Sequence, residues 1–278
     1  MKISALINTL NEEKNIEKCL QSLSWVDEII LVDMYSDDKT VEIAKKYTDK
    51  IFYFERVGYA DPARAFALSQ VSNEWVVVLD ADEVIPKSLS DELIAIAKED
   101  KADAIWIPRK NFMFGHEIKH TGWNMHDDIQ MRFFKKIMMT YGSTIHNFVN
   151  ISDQARIITL KNNETCIWHF NYIDIEHFLE KLNKYTTVEA KQLFDKRKQS
   201  SFLIVIYTCI REFVYRFILK SGYKDGFYGL VLSLLMCVYR FTTLAKLKIM
   251  IEQNNATPRD SIVTTYDDLS SKVIDSYK

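Results

Sequence analysis

The first hundred residues alternate short apolar runs with segments whose apolar positions recur at helical spacing. The apolar runs predict strands at residues 3–7, 28–32, 51–54, 75–79 and 104–107. The segments between them predict helices at residues 15–23, 40–47, 62–70 and 89–98. Strands that alternate with helices are joined by right-handed crossovers into a mostly parallel sheet. The pattern therefore predicts an α/β fold.

Polar side chains follow several of these strands at the point where each strand ends. They are Thr9, Asn11 and Glu12 after the first, Asp33 after the second, and Asp80 and Asp82 after the fourth. Ligands of parallel α/β sheets bind at the carboxyl ends of the strands. Three polar strand ends therefore indicate one binding site at that edge of the sheet.

The fourth strand ends in three acids within four residues, Asp80, Asp82 and Glu83. Carboxylates this close repel one another, and a hard divalent cation would make their proximity tolerable. The alternative is a helix entrance, with Asp82 and Glu83 solvated near an N-terminus and Pro86 in the first turn. Asp80 lies too early in the chain to serve that purpose.

Beyond residue 108 the pattern changes twice. Residues 110–169 are irregular and rich in His, Trp and Phe, which indicates loops and short strands. Residues 173–196 predict a polar amphipathic helix, and residues 254–278 a polar, loosely ordered tail. The pattern therefore predicts one domain at 1–170, with a change of character at about residue 108. A helical region at 171–253 and the tail at 254–278 follow.

Two strongly apolar segments, 202–219 and 227–247, lie in the helical region. Charged residues interrupt them, namely Arg211, Glu212, Arg216 and Arg240. The uninterrupted lengths fall short of the roughly 20 residues that span a bilayer. Apolar stretches beside cations and tyrosines suit helices lying in the membrane interface. The alternative is a buried helical hairpin or an oligomer interface.

Composition excludes some classes of protein. The 278 residues are 47% hydrophobic, enough for a full core, and 36 basic residues nearly balance 38 acidic ones. That balance does not favour nucleic acid as a partner. Four scattered cysteines without a CxxC pair predict reduced thiols in the cytoplasm. Residues 1–7 lack the long apolar region of a signal peptide, and neither GxGxxG nor a Walker loop is present.

Segments along most of the chain resemble family 2 glycosyltransferases, which have the GT-A fold, and among them the bacterial lipopolysaccharide-core β-glucosyltransferases. The matching segments are residues 3–13 (ISALINTLNEE), 27–33 (DEIILVD), 36–44 (SDDKTVEIA), 66–68 (FAL), 79–83 (LDADE), 107–112 (IPRKNF), 122–123 (GW), 128–134 (DIQMRFF) and 220–226 (KSGYKDG). They occur in the order of the family, so the resemblance is specific.

The resemblance implies that residues 1–170 are the GT-A catalytic domain, with a nucleotide half at about 1–108 and an acceptor half at about 109–170. It also implies roles for individual residues. Those that would hold the nucleotide are Thr9, Asn11, Glu12 and Asp33. Asp80 and Asp82 match the Asp-x-Asp pair that binds Mg²⁺ or Mn²⁺ between the two phosphates of the donor, and Asp80 would also touch the nucleotide. Arg64 and Arg132 stand where basic side chains face those phosphates.

The resemblance also implies a catalytic base, because an inverting transfer removes a proton from the acceptor hydroxyl. Asp128 aligns best with the family's aspartate, and Asp127 competes with it. From spacing alone, Asp128 is equally well interpreted as a salt-bridge partner of Arg132.

The chain departs from the family pattern at three places. Met34 and Tyr35 replace a small pair that contains glycine, Ala65 replaces an asparagine, and residues 145–147 replace a His-Glu pair. The last change puts the acceptor, or any base assigned there, in doubt.

The resemblance implies an inverting, metal-dependent enzyme that moves a hexose from a nucleotide-diphosphate donor. Glucose carried on UDP is the expected donor. The expected acceptor is lipopolysaccharide, a lipid-linked glycan or another cell-envelope glycan. The enzyme would lie in the cytoplasm, peripheral on the inner face of the membrane, with its C-terminal helices available for homo-oligomerisation.

Two other classes of function stay open. His116, Glu117 and His120 form a literal HExxH, and His126 falls at third-ligand spacing, as in a zinc metallopeptidase. That chemistry needs both histidines on one helical face, but Gly115 and Gly122 leave barely two turns. The third possibility is a catalytically silent protein that uses its terminal helices for membrane or oligomer contacts.

Overall fold

The computed structural model describes residues 1–56, 61–140 and 150–277. The chain forms two compact units, Met1–Asp174 and Ile175–Lys278. The first contains twelve strands among the described residues. These are β1 (Ile3–Thr9), β2 (Glu28–Asp33), β3 (Ile51–Tyr53), β4 (Trp75–Asp80), β5 (Glu83–Val84), β6 (Ala104–Met113), β7 (His116–Glu117), β8 (Ile129–Lys135), β9 (Met139–Thr140), β10 (Asn150–Ile151), β11 (Ile157–Thr159) and β12 (Ile167–Phe170).

The central sheet confirms the predicted α/β fold. Its strands follow the order β3-β2-β1-β4-β8-β6-β12-β5, and the first four are parallel. The helices of this unit are α1 (Ile16–Gln21), α2 (Thr40–Ala44), α3 (Asp61–Gln70) and α4 (Lys87–Lys98). The core on one sheet face includes residues of α1, α2 and α4, and the core on the other includes residues of α3.

Strand β4 shows why this sheet is stable. Val76 and Val78 point into one core, and Val77 and Leu79 into the other, so the strand is buried on both faces. Burying an aliphatic side chain contributes about 1.5–3 kcal/mol. A run of apolar residues without alternation is therefore the pattern that a central parallel strand requires.

Strand β6 is longer than the sequence predicted. Its first half pairs with β8, and its second half pairs with β7 and β12. The predicted end at residue 107 relied on Pro108, which lacks an N–H. The strand continues because Arg109 donates its backbone N–H to the Asp128 carbonyl at 2.9 Å. This extension brings β12 beside β5 and places His169 opposite Glu83.

The HExxH segment is not a helix. His116 and Glu117 form β7, which pairs with Met113 and Phe112 of β6 after a turn at Phe114 and Gly115 with positive φ values of 54° and 77°. A metallopeptidase needs its two histidines one helical turn apart. This backbone does not provide that spacing.

The second unit is helical. Its helices are α5 (Ile175–Asp195), α6 (Phe202–Phe213), α7 (Gly226–Glu252) and α8 (Arg259–Asp275), and a π-helical segment, Val214–Leu219, extends α6. Helix α7 packs against α5 and α6. Gly229 is required where α7 begins, because a Cβ there would lie 1.9 Å from the Gly222 carbonyl oxygen.

The polar tail, expected to be loosely ordered, forms helix α8 instead, with no buried residue. Pro258 precedes its first turn, Asp260 lies in that turn and Lys272 in the last, and each suits its helix end. Among the described residues, one helical stretch, Gly222–Glu252, is long and apolar enough to cross a membrane by length and composition.

Candidate active site

The polar ends of β1, β2 and β4 lie side by side at one edge of the sheet. Thr9 is in register with Asp33, and Asn8 with Asp80. Parallel pairing produces this arrangement, because it brings all carboxyl ends to the same edge. The sheet therefore brings together the strand ends that the sequence singled out.

Hydrogen bonds tie the loops after β1 and β2 to each other. Asn11 donates its backbone N–H to Ser36 Oγ at 2.8 Å, and its side-chain oxygen accepts the Asp37 N–H at 2.8 Å. Asp33 accepts the N–H and the hydroxyl of Ser36 at 2.8 and 2.6 Å. Glu12 donates its N–H to Thr40 Oγ1 at 2.8 Å. Asp33 and Asn11 thus hold the two loops together.

Two buried polar side chains at the end of β1 have no hydrogen-bond partner in the described part of the chain. They are the amide of Asn8, 7% exposed, and the hydroxyl of Thr9, 1% exposed. Unpaired buried polar groups are costly and uncommon in native proteins. Their position at this edge suits a bound ligand. Asn8 was missed by the sequence reasoning, although it directly precedes Thr9.

Asp80 lies between two arginines. Arg64 donates to Asp80 Oδ1 at 2.6 Å, and Arg132 hydrogen-bonds to Oδ2. Desolvation opposes ionisation of Asp80, but Arg132 and then Arg64 outweigh it and hold its pKa well below the ordinary value. The three residues form a charged cluster from α3, β4 and β8. A diphosphate that reached it would meet both guanidinium groups.

Asp82 faces a histidine that the sequence reasoning did not assign to the site. His169 Nε2 lies 3.5 Å from Asp82 Oδ2, and His169 Nδ1 lies 2.6 Å from Asn111 Oδ1. The Asn111 amide nitrogen donates to the Trp123 carbonyl and to Asp128, so its oxygen faces the imidazole. His169 Nδ1 therefore donates to Asn111 Oδ1, and Nε2 is the ring nitrogen that faces Asp82.

A divalent ion bound by Asp82 and His169 would require further ligands. No group of three or more His, Cys, Asp or Glu side chains within residues 1–56, 61–140 and 150–277 could hold a metal ion unaided. Mg²⁺ is commonly held by one or two carboxylates together with substrate phosphates. Asp82 and His169 would supply one carboxylate and one imidazole, and Asn111 orients the imidazole through its hydrogen bond to Nδ1.

Asp128 is held by four donors. Arg109 Nη2 and Nε lie 2.8 and 3.0 Å from its two oxygens, Asn111 Nδ2 lies 2.8 Å away and Gln130 Nε2 2.9 Å away. Desolvation opposes its ionisation, but Arg109 prevails and lowers the pKa of Asp128. The proposed ion pair with Arg132 is not formed, since Arg132 bonds to Asp80 and Glu83.

Asp127 is exposed, and its carboxylate accepts from the Asn124 amide at 2.5 Å. Two of the residues that depart from the family pattern make local packing contacts. Met34 packs against the core that contains α3, and Tyr35 stacks on Tyr53 with ring centroids 5.4 Å apart. Residues 145–147 lie outside the described residues.

The model of the family described as Glycosyl transferase family 2 matches residues 4–165. An uncharacterized glycosyltransferase of Rickettsia bellii is 30% identical over 274 residues, covering 95% of this chain and 92% of its own. The lipopolysaccharide core biosynthesis glycosyltransferase LpsC of Rhizobium meliloti is 27% identical over 253 residues, covering 89% and 92%. The crystal structure of S. aureus TarS 1–349 aligns at 16% identity with a TM-score of 0.46, covering 92% of each chain.

Proposed function

Since the chain belongs to glycosyl transferase family 2, we propose that it transfers a hexose, glucose first among candidates, from a UDP-linked donor to a cell-envelope glycan. The observation that carries this proposal is the convergence at one sheet edge of unpaired Asn8 and Thr9, the two arginines on Asp80, and the Asp82–His169 pair. The relative LpsC is named for lipopolysaccharide core biosynthesis, which supports an envelope glycan as acceptor.

In the proposed reaction the acceptor hydroxyl oxygen bonds to the anomeric carbon while the bond from that carbon to the diphosphate oxygen breaks. The electron pair leaves with UDP, and attack from the opposite side inverts the anomeric configuration. Arg64 and Arg132 hold the diphosphate, and Thr9, Asn11, Glu12 and Asp33 hold the nucleoside. Asp82 and His169, with Asp80 beside them, would hold Mg²⁺ or Mn²⁺, and the ion would offset the charge of the leaving group.

Asp128 is the proposed base. It lies on the loop before β8, and Arg109 connects it to the acids at the donor end. General-base catalysis requires an oxygen of Asp128 that is free to accept the acceptor proton. Arg109 or Gln130 therefore has to release one Asp128 oxygen when the acceptor binds.

The surface of the second unit supports the proposed location at a membrane. Apolar side chains of α6 and its π-helical extension recur at helical spacing and are exposed, namely Leu203, Tyr207, Ile210, Val214 and Ile218. The one buried residue of α6 is Glu212, which bonds to Arg216 at 2.6 Å and Arg240 at 3.2 Å. A helix that exposes apolar side chains and buries its charge is suited to an apolar surrounding.

A peripheral position fits these charges better than a membrane span. Arg240 lies within the apolar stretch Gly222–Glu252 and is also paired with Glu189 at 3.1 Å. A spanning α7 would place this network of ionised groups in the hydrocarbon region, which is costly. We therefore propose that the exposed face of α6 lies in the interface of the cytoplasmic leaflet. Self-association through the same face is the competing possibility.

The proposed function is tested by incubating the purified protein with a panel of UDP-hexoses and Mn²⁺ and measuring UDP release. We expect turnover of at least one donor, and loss of metal-dependent turnover in Asp82→Asn with the fold intact by circular dichroism. Full activity in that variant would contradict the metal assignment. Absence of any UDP binding by the wild-type protein in calorimetry would contradict a UDP-linked donor.

A further inference from the structure

Six charged side chains form one unbroken chain of alternating sign across the candidate site. In order they are Arg64, Asp80, Arg132, Glu83, Arg109 and Asp128. Its Arg64 end belongs to the donor site proposed above, and its Asp128 end to the acceptor side. Three acids alternate with three guanidinium groups, so the formal charges cancel.

Two atoms in the middle of this chain serve two partners each. Arg132 Nη2 bonds to both Asp80 and Glu83, at 2.9 Å from Glu83 Oε1. The same Oε1 accepts Arg109 Nη1 at 2.9 Å. Glu83 Oε2 accepts the backbone N–H of Asp80 at 2.9 Å. If one partner of a shared atom leaves, that atom therefore binds its remaining partner more strongly.

The burial of Glu83 and Arg132 strengthens the interactions of the atoms that they share. Glu83 is fully buried and Arg132 is 4% exposed, whereas the side chain of Asp80 is 30% exposed. Buried ion pairs depend on each partner, because loss of one leaves an uncompensated charge in a medium of low dielectric constant. A ligand can therefore reach the chain at Asp80, whereas Glu83 and Arg132 in its middle are shielded from solvent.

We propose that Glu83 and Arg109 are positioning residues that couple donor binding to the release of the catalytic base. A donor diphosphate draws Arg132 away from Glu83, so Glu83 Oε1 is left to Arg109 alone. Arg109 then moves towards Glu83 and loosens its hold on Asp128. One Asp128 oxygen thereby becomes available to the acceptor hydroxyl only after the donor is bound.

The coupling predicts an effect in an unusual direction. In the wild-type protein, part of the donor binding energy is used to loosen Arg109 from Asp128. Asp128→Asn weakens that contact beforehand, so UDP with Mn²⁺ binds more tightly to the variant. We expect at least a roughly fivefold tighter Kd, the lower end of the range for coupled sites. A residue with only a structural role would leave UDP affinity unchanged or weaken it.

The experiment is calorimetric titration of UDP in the presence of Mn²⁺ into the wild type, Asp128→Asn, Glu83→Gln and the double variant. Glu83→Gln breaks the chain in the middle, so the effect of Asp128→Asn is expected to disappear in that background. Asp127→Asn is the matched control, because it removes the same charge from the same loop outside the chain. Unfolding midpoints verify that each variant is folded.

The inference is overturned if Asp128→Asn leaves the Kd for UDP within twofold of the wild-type value. It is also overturned if Asp127→Asn shows the same shift in Kd, or if Asp128→Asn still produces that shift in the Glu83→Gln background. Should Glu83→Gln not fold, Arg109→Lys replaces it, since lysine keeps the charge but cannot bridge two acids with a planar fork. This inference rests on the proposed function. Failure of the wild type to bind UDP would contradict that function, whereas binding without coupling would contradict this inference alone.

Discussion

Asp128, the proposed base, is also a structural residue. Its four hydrogen bonds hold the loop before β8 and lower its pKa, which makes it a weak base in the absence of ligands. Asp127 is solvated and unconstrained by Arg109. The low basicity of Asp128 is consistent with a base that becomes reactive only in the loaded complex.

The assignment of the base is tested by comparing Asp128→Asn with Asp127→Asn in transfer to an acceptor glycan. We expect Asp128→Asn to lower kcat for transfer by about 10²- to 10⁴-fold, the usual contribution of a general base, with a much smaller change in Asp127→Asn. The reverse order of the two effects would assign the base to Asp127.

Asn111 is the residue that orients His169 towards Asp82. Its side-chain oxygen hydrogen-bonds to the imidazole, and its side-chain nitrogen donates to the Trp123 carbonyl and to Asp128. We expect Asn111→Ala to weaken Mn²⁺ binding by about 10- to 100-fold, as loss of an outer-shell partner does. Electron paramagnetic resonance of free Mn²⁺ during titration measures this affinity.

Gln130→Ala is the control for this experiment, because Gln130 bonds to Asp128 but has no bond to His169 in the described contacts. Equal losses in the two variants, or an unchanged affinity in Asn111→Ala, would contradict His169 as a metal ligand.

At the scale of elements, Glu28 links several strands at the end of the sheet opposite the candidate site. At the start of β2, it accepts from Ser4 of β1, from Lys50 before β3 and from the Ser72 N–H before β4. Burial opposes its charge, but the hydrogen bonds from Lys50, Ser4 and Ser72 lower its pKa from 4.5 to about 2. This carboxylate therefore connects β2 to β1 and to the residues that precede β3 and β4, at the end of the sheet opposite the candidate site.

The lowered pKa of Glu28 predicts a pH dependence of stability. A depressed pKa contributes stability that is complete above the unfolded-state value near 4.5 and is lost as the pH falls towards about 2. The contribution corresponds to about 3 kcal/mol. Urea unfolding between pH 6 and roughly pH 2 is expected to show a smaller loss of stability in Glu28→Gln than in the wild type.

Asp49→Asn removes an exposed carboxylate near β3 and serves as the control for this measurement. Parallel pH profiles for the wild type and Glu28→Gln would show that Glu28 does not contribute as proposed.

At the scale of the whole molecule, the two units present different kinds of surface. The first has its polar strand ends at one sheet edge, and the second exposes large apolar side chains along α6. An enzyme that acts on a lipid-linked or envelope glycan meets its acceptor at a membrane. An apolar face on a separate unit suits attachment there without altering the catalytic sheet.

Attachment is tested by co-sedimentation with vesicles of phosphatidylethanolamine and phosphatidylglycerol. Leu203 is 76% exposed and Ile210 60% exposed, so both can be changed without disturbing a core. We expect Leu203→Glu with Ile210→Glu to reduce the bound fraction by at least about tenfold, since each aliphatic side chain contributes about 1.5–3 kcal/mol when buried. Thr265→Glu on exposed α8 is the control. Unchanged vesicle binding, with loss of a dimer in solution, would favour self-association.

The sequence by itself determined the class of fold, the family and the edge of the sheet where chemistry is expected. Periodicity and strand-end polarity are local properties, so Thr9, Asp33 and Asp80 could be placed from the linear order of residues alone. The resemblance added a role for each, as well as Arg64, Arg132 and Asp128.

Tertiary structure decided which of these side chains meet. Asp128 pairs with Arg109 instead of Arg132, and His169 reaches Asp82 although 87 residues separate them in the chain. Both contacts depend on β6 continuing past Pro108 so that β12 can pair beside it. Such contacts depend on strand pairing between distant segments, which local periodicity does not encode. The same pairing joins the acids after β4 into a single chain of charges with the proposed base.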